Sequence, residues 1–145
     1  MDGTPALTDR EYARRFERGE IPGASFHHRE HLRLAWAYLQ ESHSTEEACA
    51  RMRSAIRAFA QAAGHPEKYH ETLTVLWVRL LAAVRAQVDG AADVDAILPA
   101  HPWLLDKGTP YRYYTPALLM SDDARRVALE PDIAPIPGHL PCACC

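Results

Sequence analysis

No run of apolar residues in this chain approaches the ~20 needed to cross a bilayer, so a membrane-embedded protein is not expected. A basic stripe is missing too. The 16 Lys and Arg are interspersed with 19 Asp and Glu, for a net charge of −3. Nucleic acid is therefore not an expected partner. No segment alternates apolar and polar with period two, so strands are not expected. Internal repeats, a G-x-S-x-G elbow, a P-loop and a dinucleotide fingerprint are all lacking, which leaves those enzyme classes without support. A disulfide framework is not expected. Cys49 stands alone inside a helical pattern, and Cys142, Cys144 and Cys145 crowd the last four positions. The start, "MDGTPALTDREY", lacks a signal-peptide pattern, so the expected location is cytoplasmic. Thiols are kept reduced there.

What the chain does contain is helical pattern. Its 145 residues, 48% of them hydrophobic, suffice for one domain with a buried core. The expected fold class is all-α, a small antiparallel bundle of about four main helices. An irregular C-terminal segment from about Pro99 is expected to wrap across its side or end. Residues 1–137 form the expected domain, and 138–145 an expected flexible, Cys-rich tail. "TDRE" at Thr8 to Glu11 is a capping box opening the first helix, which runs to about Arg18. Ser25 is placed to cap a second helix ending near Gln40. "STEE" at Ser44 to Glu47 opens a third, which ends near Gly64. A fourth carries Leu73, Leu76, Trp77, Leu80, Leu81, Val84 and Val88 at helical spacing. Thr115 and Ser121 are placed to cap two short helices, the second reaching about Leu129.

Histidine supplies the candidate chemistry. "FHHREH" puts His27, His28 and His31 at the start of the second helix, and His70 stands at the start of the fourth. At about 100° per residue, His28 falls roughly 30° from the centre of the Leu32/Ala35/Trp36/Leu39 stripe. His31 falls at its border, and His27 points away unless Leu34 and Tyr38 form a second buried stripe. In an antiparallel bundle the starts of the second and fourth helices meet at one end. His28, His31 and His70 are thus candidate ligands of one divalent transition metal, Fe, Cu or Zn. Glu67 and Glu71 are candidates for a fourth ligand or general base, and Arg112 for holding a substrate anion. Each histidine also has a plain reading as a core or capping residue. The remaining histidines, His43, His65, His101 and His139, fall in loops.

The combination of "F-x-H-x-x-H-L-R-x-A-W" (Phe26 to Trp36), "YHETLT" (Tyr69 to Thr74) and "LLDK…RYYTPALLMSDDARRVALEPDIAPIP" resembles a family of small uncharacterised bacterial helical proteins. The resemblance covers Phe26 to Pro137 and implies no activity. The cysteines at the end fall outside it.

Two functions are compatible with this pattern. The first is a small metal-dependent enzyme acting on a small molecule, with oxidoreductase chemistry at iron or copper favoured over hydrolysis. The second is a non-enzymatic metal or small-molecule binding, sensing or delivery protein that uses the cysteine tail. The tail itself has little apolar surface to bury. Deletion of residues 139–145 is therefore expected to leave the thermal midpoint unchanged. A fall of more than about 3 °C, roughly 1 kcal/mol in a domain of this size, would show that the tail is docked.

Overall fold

The computed structural model describes residues 7–88 and 92–137. The tail from residue 138, with Cys142, Cys144 and Cys145, lies outside the described residues. Four long helices carry the fold: α1 (Asp9–Glu17), α2 (His28–Glu41), α3 (Thr45–Ala62) and α4 (Glu71–Arg85). Three short ones follow, α5 (Val94–Ile97), α6 (Pro116–Leu119) and α7 (Asp122–Arg126), among single 3-10 turns. No strand occurs among the described residues, and the class is all-α.

Local signals set most helix ends. The Thr8 hydroxyl accepts from the Glu11 N–H, and the Glu11 carboxylate accepts from the Thr8 N–H, completing the capping box. Ser44 caps α3 through the Glu47 N–H at 3.0 Å. At its other end Gly64 takes φ +80°, and the His65 N–H bonds back to the Ala60 carbonyl. That left-handed step suits glycine because it has no Cβ. Thr115 and Ser121 cap α6 and α7.

Two ends differ from the sequence expectation, both for tertiary reasons. Ser25 does not cap α2. Gly23–Ser25 instead forms a 3-10 turn, and His27 takes the N-cap position, where its N–H is accepted by the Glu30 carboxylate. The turn swings the Phe26 ring to within 4.8 Å of Phe16 and 5.0 Å of Phe59, measured between ring centroids. Burying an aromatic ring is worth more than one serine cap. Likewise α7 stops at Arg126 rather than near Leu129. The Val127 carbonyl and the Leu129 N–H both bond to the Thr72 hydroxyl on α4, which pulls the chain out straight.

The core gathers around α2, which touches α1, α3, α4 and α5. Every residue from Leu34 to Leu39 on α2 is buried, so both stripes of the helix are apolar contacts. Leu104, Tyr114, Leu119 and Ile136 of the C-terminal segment join the same core. Polar groups tie the rim. Glu41, at the end of α2, meets Arg10, Arg14 and Arg51 at 2.9–3.0 Å. Asp9, almost fully buried, accepts from Arg33 Nε and from the Val94 N–H, each at 2.8 Å. One carboxylate thus joins α1, α2 and α5.

Asp9→Ala strips partners from a buried N–H and a guanidinium. We expect it to lower unfolding free energy by about 2–4 kcal/mol in urea denaturation, with Asp9→Asn recovering part of the loss. A change under about 0.5 kcal/mol would mean that the three-way link adds nothing.

Candidate functional site

The beginnings of α2 and α4 share a pocket of about 320 Å³. His28, His31 and His70 all line it, with Phe26, Tyr69, Leu73 and Trp77 among its walls. The topology therefore brings the three singled-out histidines to one place. Their hydrogen bonds then separate them.

His70 is the N-cap of α4, not a residue within it. Its Nδ1 accepts from the Leu73 N–H at 3.1 Å. Nδ1 is thus the acceptor of a neutral ring, so Nε2 carries the proton and donates to the Leu119 carbonyl at 2.8 Å. Both nitrogens are engaged by backbone, and the one ring lone pair, on Nδ1, is taken by the Leu73 N–H. His28 is half engaged. Its Nε2–H donates to the Leu104 carbonyl at 2.8 Å, leaving Nδ1 with a lone pair, while its ring sits 4.5 Å from that of Trp77. His31 is not engaged at all by hydrogen bonds, and its Nδ1 is buried without a partner. Tyr12 Oη and Ser42 Oγ share that condition among the described residues, but neither lines this pocket.

Burial shifts all three toward the neutral form. Desolvation dominates for His31, whose pKa falls to about 4, with His28 adding a smaller repulsion. Desolvation also lowers His28 and His70. The Lys107 charge assists at His28 and Arg125 at His70, while the Leu104 and Leu119 carbonyls oppose.

The other expected residues stand elsewhere. Glu71 is buried, and its carboxylate accepts from Arg53 Nε and from the Tyr69 hydroxyl. Burial alone would raise its pKa, but those two hydrogen bonds and the Arg53 charge outweigh it and hold the carboxyl below its usual range. A carboxylate so engaged acts as a brace between α3 and α4. Glu67 is exposed, paired with His65 at 3.3 Å, and faces a different hollow, beside Arg57 and Arg125. Arg112 is exposed on the turn at Thr109–Arg112 and is not among the residues lining the histidine pocket. His27 is exposed at the pocket's edge.

Metal binding makes a sharper demand than proximity. Two imidazoles on one tetrahedral ion, each nitrogen ~2.0–2.1 Å from it, hold their ring centroids about 5 Å apart. Those of His28 and His31 are 6.4 Å apart. Among the described residues no group of three His, Cys, Asp or Glu is placed to hold a metal ion.

Sequence reasoning missed Lys68, Lys107 and the role of Trp77 as a wall. Trp77 reads as one more apolar residue on the α4 stripe. The lysines reach the site only through the turn before α4 and the segment after Leu104, which no local pattern places there.

His31 gives a pH signature. Above about pH 6.5 it is neutral in both folded and unfolded chains. As pH falls from about 6.5 towards 4, the unfolded chain binds a proton that the folded one refuses, and stability drops, by at most ~3 kcal/mol for this one residue. His31→Gln is expected to make unfolding free energy, measured from pH 7.5 to 4.5, fall less steeply. An unchanged slope would show that the ring is not held neutral. The Glu71 contribution occupies a separate window, lost as pH falls below about 4.5.

Comparison of the chain with family models, curated proteins and solved structures gave no match, so the meaning of this site rests on its own geometry.

Proposed function

We propose that this protein binds a small organic molecule in the histidine pocket, with His31 as the polar group that meets it. One observation carries the reading. In a pocket where His70 is fully bonded and His28 half bonded to backbone, the buried Nδ1 of His31 has no partner. An unpaired buried polar atom costs about 1–3 kcal/mol, and a ligand that pairs with the ring recovers it. Trp77, Phe26 and Leu73 supply the apolar remainder of the contact.

The low basicity of His31 favours binding over proton transfer. A general base works best with a pKa near the operating pH. At about 4, His31 is a weak base and a steady neutral hydrogen-bond partner.

A metal-dependent enzyme is the second reading, and His28 speaks for it. A ligating histidine commonly donates its other ring N–H to a carbonyl, as His28 does to Leu104. His28 and His31 would be the protein ligands, the rings would have to approach by about 1 Å, and further ligands would come from beyond this pocket. An ion of Fe, Cu or Zn held there would supply Lewis-acid or redox chemistry.

The two readings separate on the same samples. A small-molecule screen by ligand-observed NMR, repeated on His31→Phe, is the first arm. We expect compounds that bind the wild type, perturb the His28 and His31 ring signals, and lose at least tenfold in affinity in the variant, which stays folded. Compounds indifferent to His31→Phe, or none at all, would overturn the ligand pocket. Metal analysis of the isolated protein, with melting in added Fe(II), Cu(II), Zn(II) or Mn(II), is the second arm. Stoichiometric metal, or stabilisation that His28→Ala abolishes, would establish the second reading. Protein isolated without metal and not stabilised by any of the four would remove it.

A further inference from the structure

The pocket carries charge of one sign. Its lining contains four histidines and Lys68, and no Asp or Glu. A second hollow of about 250 Å³ shares the wall of His28, Leu73 and Trp77. Lys107 and Tyr111 line its far part, and again no carboxylate does. In a chain with more acidic than basic residues, two adjoining hollows with a lysine each and no acid form a distinct electrostatic environment.

Two carboxylates belong to the first turns of α2 and α4, and each has its own partners. Glu71, the first residue of α4, is buried against Arg53 and the Tyr69 hydroxyl. Glu30, outside the lining itself, accepts from the His27 N–H and lies 3.5 Å from the exposed His27 ring at the pocket's edge. Both helices that open on the pocket are long, 14 and 15 residues. Their starts contribute partial positive charge of the same sign as the lysines. The unpartnered His31 ring is the independent sign of a ligand here. A neutral imidazole offers one N–H, and an oxyanion is an acceptor without a donor. Aromatic surface lies beside these groups, with the Trp77 indole next to the His28 ring and Phe26 also in the wall. A volume near 320 Å³ lies at the lower end of the ~300–1,000 Å³ range of ligand pockets, which suits a single ring with one substituent.

We infer that the ligand of this pocket is a small aromatic oxyanion, a carboxylate or phosphate on one flat ring, with the ring against Trp77 and the charged group between His31 and the lysines Lys68 and Lys107. The inference rests on the ligand-pocket reading and adds the charge and shape of the ligand.

The test is titration of the full chain by isothermal calorimetry and NMR with four single-ring probes: benzoate, phenyl phosphate, benzyl alcohol and benzylamine. We expect saturable one-to-one binding of benzoate or phenyl phosphate, at least tenfold tighter than benzyl alcohol, and no binding of benzylamine. The relative affinity for the two anions tells carboxylate from phosphate. Lys68→Gln with Lys107→Gln changes two exposed side chains, so folding is preserved. The pair should weaken the anions at least tenfold and leave benzyl alcohol unchanged. If benzyl alcohol or benzylamine binds as tightly as the anions, or if the lysine pair leaves anion affinity intact, the charge assignment fails while the ligand pocket stands. If none of the four binds, the oxyanion inference fails. The ligand pocket falls with it only where the broader screen on His31→Phe is also empty.

Discussion

Helix α2 cannot be exposed on any side through its central part, because all six residues from Leu34 through Trp36 to Leu39 are buried. A helix in that condition needs neighbours all round. It finds them in α1, α3 and α4, and in the segment around Ala92 to Ile97, whose Ala92 carbonyl accepts from the Trp36 indole. The rest of the architecture is the closing of that ring. Where the ring ends, α2 turns polar. At its C-terminus Glu41 gathers three arginines. At its N-terminus the histidines stand between α2 and α4 and enclose a pocket.

The C-terminal segment is held by a different device. It has little regular structure, so its carbonyls need donors from elsewhere. His28 donates to Leu104, His70 to Leu119, Thr72 to Val127, and Tyr114 to Leu129 within the segment itself. Two of the three site histidines thereby act as anchors for the chain that covers the end of the helices. Anchoring engages both ring nitrogens of His70 and one of His28, whose Nδ1 keeps its lone pair. His31 anchors nothing, and its buried Nδ1 is without a hydrogen-bond partner.

Much of the fold was legible from local pattern. The capping box at Thr8, the caps at Ser44, Thr115 and Ser121, and the left-handed glycine at Gly64 act within a few residues of chain. The inward face of His28 and the border position of His31 followed from helical angle alone. His31 stands beside Phe26, with ring centroids 6.0 Å apart. That contact depends on the turn at Gly23–Ser25, which no cap signal announced.

The sequence by itself determined the helical class and the positions of the long helices, because each depends on periodicity and short-range hydrogen bonding. Only the tertiary structure decided what each histidine is free to do. A ring nitrogen is engaged or available according to which carbonyl or N–H lies within about 3 Å of it. For His28 and His70 those carbonyls belong to residues 76 and 49 positions away. Partners remote in sequence likewise decide that Glu71 is a brace and that Lys107 stands beside the site. The Arg53 that claims Glu71 and the His28 that Lys107 approaches come from other elements of the fold.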